Sequence, residues 1–191
     1  MSSTPIVNWP GELADQLDWH WENALKPRFA GLTDEEYFAE PVPGCWSVRR
    51  RGEGVAREVG SGEWIIDFAI PAPEPAPVTT IAWRLGHLIV GVFGMRNASH
   101  FGGPPLDYDS YAYPGTAEGA LDALTEQVER WTAGVRGLTA EALAQACGEP
   151  GHEQDSLATL VLHINREAFH HGAEVALLRD LYLGSAGRLM T

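Results

Sequence analysis

Four long stretches of helical periodicity constrain the fold more than any other feature of the sequence. The longest begins at Ser156, a good N-cap, and continues to Gly184, which suits a helix C-terminus. Similar apolar repeats run from about Pro10 to Arg28, from Thr79 or Thr80 to His100, and from Thr116 to Val135. Because amphipathic helices of this length bury their apolar stripes against one another, the sequence predicts an all-α fold, a four-helix bundle.

The segment between the first and second long helices is of a different kind. A short helix is predicted in LTDEEYFAE, where Thr33 and Glu36 form a capping box. Residues 41–70 are rich in Gly and Arg and end in the β-prone run WIIDFAI, which indicates a structured loop with a small hairpin. Residues 71–77, PAPEPAP, form a stiff connector that cannot be helical. The parts on either side are too small to fold separately, so we expect one domain over residues 1–191.

Composition excludes several classes of partner. The chain has 26 acidic and 13 basic residues and a formal net charge of −13, which would repel a nucleic-acid backbone. No run of apolar residues is long enough to cross a membrane, and the N-terminus lacks the pattern of a signal peptide. With only two cysteines, the sequence predicts a cytoplasmic protein with free thiols and no membrane or nucleic-acid partner.

The last long helix carries two adjacent histidines, His170 and His171, which cannot both face the core. At about 100° per residue, the apolar stripe is centred near Ile164, and His171 falls about 20° from that centre. Glu167 lies on the same side one turn earlier, at the i, i+4 spacing that brings side chains together. His163 and His170 fall at the flank of the stripe. The sequence therefore predicts that His171 points inward beside Glu167.

A carboxylate beside an inward-facing imidazole needs compensation. Either Glu167 pairs with a protonated His171, or both side chains bind a cation. His87 is the best third ligand because it lies mid-helix in WRLGHLIVG, where Gly91 and Gly94 leave space. Two imidazoles and one carboxylate leave coordination positions open, which is typical of a catalytic site for Zn, Ni or Fe. The other histidines considered as the third ligand are His20, His100 and His152.

Several stretches of the sequence resemble the DinB-like superfamily of four-helix-bundle proteins. They are LDWHWENALKPRFAGLTDEEYF, PVPGCWSV, LGHL on the second long helix and REAFHHGAEVALLRDLY on the fourth. This superfamily includes thiol-dependent S-transferases and mycothiol-dependent maleylpyruvate isomerases. Its members bind a divalent metal through a His on the second helix and two ligands one turn apart on the last helix. Those two ligands are often both His, with an Arg-Gly-Gln signature following, and in the isomerase-like members the first is Glu.

The resemblance implies a metal site made of His87, Glu167 and His171. The signature differs here, because Gly172 stands in place of its Arg and Glu174 in place of its Gln. The implied function is a metal-dependent thiol S-transferase or related enzyme that acts on a small electrophile. The alternative is a non-catalytic, stress-related metal- or ligand-binding protein. The resemblance also allows a homodimer through the helical faces.

The thiol cofactor would be mycothiol, bacillithiol or glutathione. All but one of the 13 basic residues are arginine, which suggests a GC-rich genome and favours an actinobacterial thiol such as mycothiol. His163 and His170 would support the site or act as a general base, unless they are ordinary surface residues. Cys45, beside several arginines in PGCWSVRRR, is either a nucleophile or a residue that anchors the loop, and we favour the anchor.

Overall fold

The computed structural model describes residues 7–189, most of which are helical. Within them the helices are α1 (residues 9–29), α2 (Asp34–Phe38), α3 (residues 81–100), α4 (Ala117–Arg136), α5 (Ala140–Leu143) and α6 (Leu157–Leu189). Helix α1 joins Trp9–His20 to Lys26–Phe29 through a π-helical turn, Trp21–Leu25. Helix α3 joins Ile81–His87 to Met95–His100 through a π-helical stretch, Leu88–Gly94. The prediction of a mainly helical fold is confirmed.

The starts of the helices follow the capping residues in the sequence. The hydroxyls of Thr80, Thr116 and Ser156 each accept a hydrogen bond from the backbone N–H three residues later. At α2, Thr33 and Glu36 exchange side-chain and backbone hydrogen bonds as a complete capping box. These contacts satisfy N–H groups that have no partner within the helix, so each cap fixes where its helix begins.

The predicted end of the last helix at Gly184 is wrong. A glycine ends a helix by taking the left-handed conformation, whereas Gly184 remains helical and α6 continues to Leu189. One glycine in a helix costs only about 1 kcal/mol of stability relative to alanine, so the residues around Gly184 can keep this segment helical.

Helix α6 is 33 residues long, yet neither it nor another helix in residues 7–189 is apolar enough over sufficient length to cross a membrane.

Side chains from the four long helices share an apolar core. Leu17 of α1, Phe93 of α3, Trp131 of α4 and Ile164 of α6 are all buried there. Helix α6 contacts both α1 and α3, and α4 also contacts these two helices. Consequently, α3 and α6 run beside each other, and polar residues on their facing sides can meet.

The insertion between α1 and α3 forms an antiparallel sheet rather than a lone hairpin. Within the described residues, its strands are β1 (Val48–Arg50), β2 (Arg57–Val59) and β3 (Trp64–Phe68), in the order β1-β3-β2. Ile66 of the central strand pairs with Val48 on one side and Val59 on the other. Strand β1 was not recognised in the sequence because it is a three-residue edge strand with two arginines, and charged, short edges are common in sheets.

The sheet is fastened to α3 close to its first turn. Trp83 donates from Nε1 to the backbone oxygen of Asp67 at 2.7 Å, and the Ser47 and Thr80 hydroxyls lie 2.9 Å apart. Backbone hydrogen bonds also join Trp46 to the chain on either side of Thr79. The insertion therefore holds the N-terminal half of α3, which carries His87, in a fixed place.

Candidate metal centre

Two histidines from facing helices, His87 on α3 and His171 on α6, lie against one another. Their ring centroids are 4.8 Å apart and their planes meet at 87°. Trp83, one turn before His87, stacks on the His87 ring at 5.3 Å and 17°. His171 is 8% exposed whereas His170 is exposed, so the helical phase predicted from the apolar stripe is confirmed.

The Nδ1 atom of His87 is occupied by a tyrosine. The Tyr108 hydroxyl lies 2.6 Å from it, and the Tyr108 ring stacks on Phe68 of β3 at 4.5 Å. The hydroxyl also fills the place beside Gly91 that the sequence suggested was open, since a Cβ built on Gly91 would collide with it. The prediction of free space at Gly91 is thus wrong, and the glycine instead admits Tyr108.

The Nδ1 atom of His171 is occupied by a carboxylate. Glu174 Oε2 lies 2.6 Å from it, and Arg84 Nε lies 3.1 Å from the same oxygen. Glu174 is one turn after His171 on α6, while Arg84 reaches across from α3. The imidazole is therefore held by a charged pair that bridges the two helices, and the orientation of its ring is fixed.

The other ring nitrogen of His171 faces Glu167. Its Nε2 lies 3.4 Å from Glu167 Oε2, and Glu167 is partly buried. The second oxygen, Oε1, lies 3.6 Å from Arg166 Nε and 3.7 Å from His163 Nδ1. His163 itself pairs with Arg166 Nη2 at 2.6 Å. Glu167 thus lies between the buried His171 and two exposed basic side chains.

A second group of ligand atoms comes together on the outer side of His171. In the part of the chain that the structure describes, His170, His171 and Glu174 are the one trio of His, Cys, Asp or Glu residues whose ligand atoms lie within 4.8 Å of one another. His170 Nε2 lies 3.5 Å from Glu174 Oε1. The predicted trio of His87, Glu167 and His171 shares His171 with this group, but among the described residues its ligand atoms do not all lie as close to one another.

Burial sets the protonation of the groups around His87. Burial, followed by the nearby His171 and Arg84, lowers the pKa of His87 to about 3. Burial also raises the pKa of the Tyr108 hydroxyl far above its usual range, and lowers the pKa of Arg84 although Glu174 opposes this. At neutral pH His87 and Tyr108 are therefore both neutral, and a neutral imidazole is the form that binds a metal.

The family model of the DinB superfamily matches residues 16–175. The chain belongs to the DinB superfamily. The matched region ends one residue after Glu174, so it contains every group of the centre described above. No curated protein and no solved structure matches the chain.

The structure explains the two residues, Gly172 and Glu174, that differ from the DinB signature. A Cβ on Gly172 would collide with the Leu25 side chain of α1, so a glycine lets α1 and α6 approach closely here. Glu174 supplies the carboxylate that holds His171. The sequence marked both positions only as differences, whereas the structure makes one a packing residue and the other a partner of the buried histidine.

Sequence reasoning missed Tyr108 and Arg84 as parts of this centre. Arg84 lies one turn before His87 on α3, so helical spacing could have suggested it. Tyr108 lies in the loop after α3, 21 residues from His87, and nothing in the local pattern distinguishes it from the two tyrosines that follow. A loop residue of this kind becomes recognisable only when the loop is folded back over the helix.

The three other candidate histidines each contact a partner outside the centre described above. His20 packs on Phe169 with ring centroids 4.4 Å apart, His100 Nε2 lies 2.7 Å from Glu149 Oε1, and His152 Nδ1 lies 3.0 Å from Asp155 Oδ2.

Cys45 has the environment of a packed residue. It is buried, and burial, followed by the charge of Glu40, raises the pKa of its thiol, although Arg49 acts in the opposite direction. A raised pKa leaves little thiolate at neutral pH, and the thiolate is the nucleophile. The interpretation of Cys45 as a loop anchor is thereby favoured over a catalytic one.

Proposed function

We propose that this protein is a metal-dependent enzyme built on a DinB-type four-helix bundle. In this proposal a divalent metal, Zn or Ni first and Fe next, binds to Nε2 of His87, Nε2 of His171 and the carboxylate of Glu167. The enzyme transfers a low-molecular-weight thiol to a small electrophile.

The observation that carries this proposal is the occupancy of the two Nδ1 atoms. Tyr108 holds Nδ1 of His87 and Glu174 holds Nδ1 of His171, both at 2.6 Å. A histidine that ligates a metal through one nitrogen usually donates its other N–H to an oxygen, which fixes the tautomer. The Glu174 carboxylate accepts from Nδ1–H of His171, and in this proposal the Tyr108 hydroxyl likewise accepts from Nδ1–H of His87, so that both imidazoles offer Nε2; Glu167 Oε2 lies 3.4 Å from one of these nitrogens.

The same argument favours this trio over His170, His171 and Glu174. Using Nδ1 of His171 would break its 2.6 Å contact with Glu174 and take that carboxylate from Arg84. His170 is exposed and adjacent in the chain to His171, so its imidazole would also have to be ordered from solvent. The inner trio needs neither change, and we assign the metal to it on that ground, with the ligand atoms of His87, Glu167 and His171 drawing closer together when the metal binds.

The chemistry of the donor set suits thiol activation. A divalent metal bound by two imidazoles and one carboxylate keeps open coordination positions, and it lowers the pKa of a thiol placed there. The thiol sulfur would form a bond to carbon of the electrophile, the leaving group would depart with its bonding pair, and the thiol proton would pass to solvent. Mycothiol, bacillithiol and glutathione are the thiols that we would test.

The chain's own contribution is to orient the ligands and keep them in the right charge state. Arg84 compensates Glu174, and the burial of His87 keeps its imidazole neutral. Glu167 is more exposed than His171, and the exposed side chains of Arg166 and His163 flank it. The exposed side of the centre is therefore the side from which thiol and electrophile would approach.

Elemental analysis of the purified protein is the direct test of the metal. We expect about one Zn, Ni or Fe per chain, as a site with three protein ligands would hold. Glu167→Ala should lose this metal and the thermal stability that it adds, whereas Glu118→Ala, an exposed glutamate on α4, should keep both. Absence of metal after growth with all three metals, together with no rise in Tm on adding them, would reject the proposal.

Thiol consumption separates the enzyme from a non-catalytic binding protein. The metal-loaded protein would be mixed with each thiol and a chlorinated dinitrobenzene, and thioether formation would be followed. We expect one thiol to be consumed by the wild type and not by Glu167→Ala. Stoichiometric metal without thioether formation from any of the three thiols would instead support the non-catalytic alternative.

A further inference from the structure

A groove of about 690 Å³ opens beside the candidate metal centre. Its walls are the C-terminal part of α3, the loop between α5 and α6, and the first turns of α6. Met95, Pro150, Leu160 and Leu162 give it an apolar surface. This volume falls within the range of small-molecule sites in proteins, which are mostly apolar with a few polar groups.

The groove ends next to a proposed metal ligand. His163 lines it, and His163 Nδ1 lies 3.7 Å from Glu167 Oε1, whose partner oxygen lies 3.4 Å from His171 Nε2. Arg166, which also lines the groove, lies 3.6 Å from the same Oε1. A molecule in the groove would therefore have one end within reach of the metal centre.

The acidic groups of the groove already have partners. Glu149 is 8% exposed, and its Oε1 lies 2.7 Å from His100 Nε2 and 3.1 Å from the Ser99 hydroxyl. Asp155 lies 3.0 Å from His152 Nδ1. Glu149 is therefore committed to partners within the protein, whereas Asp155 is exposed at the rim with His152 as its neighbour.

The arginines of the groove retain free donors. Arg96 Nε is buried 3.3 Å from Glu149 Oε2, yet the Arg96 guanidinium makes no hydrogen bond to another described residue. Arg166 uses one nitrogen toward His163 and contacts Glu167 with another. A guanidinium has five N–H donors and matches carboxylate geometry, so these two arginines on different helices favour an anionic ligand.

We propose that this groove is the substrate site and that it takes a small organic carboxylate with an apolar body. The apolar part would lie on Met95, Leu160 and Leu162, and the carboxylate would be bound by Arg96 and Arg166. The inference deepens the proposed function, because it names the class of electrophile that reaches the metal. The chain's net charge of −13 would repel an anion, so the preference must come from these arginines.

Cys147 provides a built-in reporter of occupancy. It lines the groove and is partly exposed, whereas Cys45 is buried and serves as an internal control. Phenylbutyrate is the probe, with phenylbutyramide and phenylbutylamine as its uncharged and cationic analogues. Alkylation of each cysteine by N-ethylmaleimide would be followed by mass spectrometry on metal-free protein, and Kd would be measured by calorimetry.

We expect phenylbutyrate at about ten times its Kd to slow alkylation of Cys147 about tenfold, by mass action. Thr159→Trp, which fills the groove, should abolish protection, whereas Leu177→Trp, an exposed position on the same helix, should preserve it. Arg166→Gln should weaken phenylbutyrate binding about 10-fold or more and leave the amide unchanged, as for a lost charged hydrogen bond.

Three results would overturn the inference. They are no protection by any of the three probes, equal protection in Thr159→Trp, or tighter binding of the amine than of the acid. If Thr159→Trp does not fold, the Arg166→Gln comparison of acid and amide still decides. Because every measurement uses metal-free protein, a missing metal would reject the proposed function without touching the groove, and a failed probe would reject only the groove.

Discussion

Two regions of this protein bury carboxylates, and they do so in opposite ways. Asp67 of β3 is completely buried, and its two oxygens accept hydrogen bonds from the backbone N–H groups of Ser47, Val55 and Ala56 and from Arg49 Nε, all at 2.9–3.2 Å. Every donor here is committed to one carboxylate. Asp67 therefore acts as a fixed hub for the sheet.

At the centre around His171, only some of the ring nitrogens have a hydrogen-bond partner. Glu174 and Arg84 saturate one side of the His171 ring, but the other side faces Glu167 at 3.4 Å, and His87 Nε2 makes no hydrogen bond to a described residue. A neutral imidazole nitrogen without a hydrogen-bond partner keeps a lone pair that a metal can take. The contrast teaches that a buried carboxylate with a full set of donors is a structural element, whereas the imidazole nitrogens beside Glu167 remain available to a ligand.

The largest expected effect is on stability, when the carboxylate of Asp67 is replaced. Asp67→Asn should lower the free energy of unfolding by about 3–5 kcal/mol, because a neutral amide cannot accept from all of these donors and leaves Arg49 with Glu40 as its remaining ion-pair partner. Urea denaturation measures this. Glu63→Gln, an exposed partner of Arg50 near the same sheet, should change stability by less than about 1 kcal/mol. If Asp67→Asn were as stable as the wild type, the hydrogen bonds to Asp67 would not stabilise the sheet, and the contrast with the centre at His171 would be lost.

Metal affinity should fall next most strongly when a ligand from α3 is removed. His87→Ala should weaken Zn binding by more than the roughly 10- to 100-fold that loss of a supporting group causes. His170→Ala is the matched control and should bind Zn like the wild type. Competition with a chelator gives both affinities, and the reverse order would place the metal at His170, His171 and Glu174.

The helices and the inward face of α6 could be predicted from the sequence because the signals are local. Caps at Thr80, Thr116 and Ser156 and a repeat of about 3.6 residues depend only on neighbours along the chain. The same repeat placed His171 inside and His170 outside. The end of α6 was misplaced because a glycine is only a weak stop signal when the residues around it favour a helix.

Most of the environment of the site could not be predicted, because its partners come from distant segments. Tyr108 reaches His87 from a loop, and Arg84 reaches Glu174 from another helix. The groove depends on how the loop before α6 lies against α3, which no periodicity encodes. Helical spacing therefore supplied one face of the site, and the tertiary fold supplied the rest.

The supporting groups should have a smaller effect than the ligands. Glu174→Gln and Tyr108→Phe remove the partners of the two Nδ1 atoms, and each should weaken metal binding about 10- to 100-fold while leaving the metal stoichiometry unchanged. Chelator competition and elemental analysis report the two quantities. Tyr113→Phe, in the same loop, is the control for Tyr108→Phe. Unchanged affinity in both variants would mean that the metal does not use Nε2 of these histidines.

The smallest effect is expected at His163, and it decides between two roles for this residue. His163 is half exposed and contacts Glu167 at 3.7 Å, so as a neighbour of the ligand it should contribute about 0.2–1 kcal/mol to metal binding. His163→Ala should thus change metal affinity less than about fivefold and leave the pH profile of thiol transfer unchanged. A general base would behave differently, because its loss lowers kcat about 10²- to 10⁴-fold and shifts that profile. Such a loss with normal metal affinity would place His163 on the reacting thiol, and the exposed side of the centre would then carry chemistry of its own.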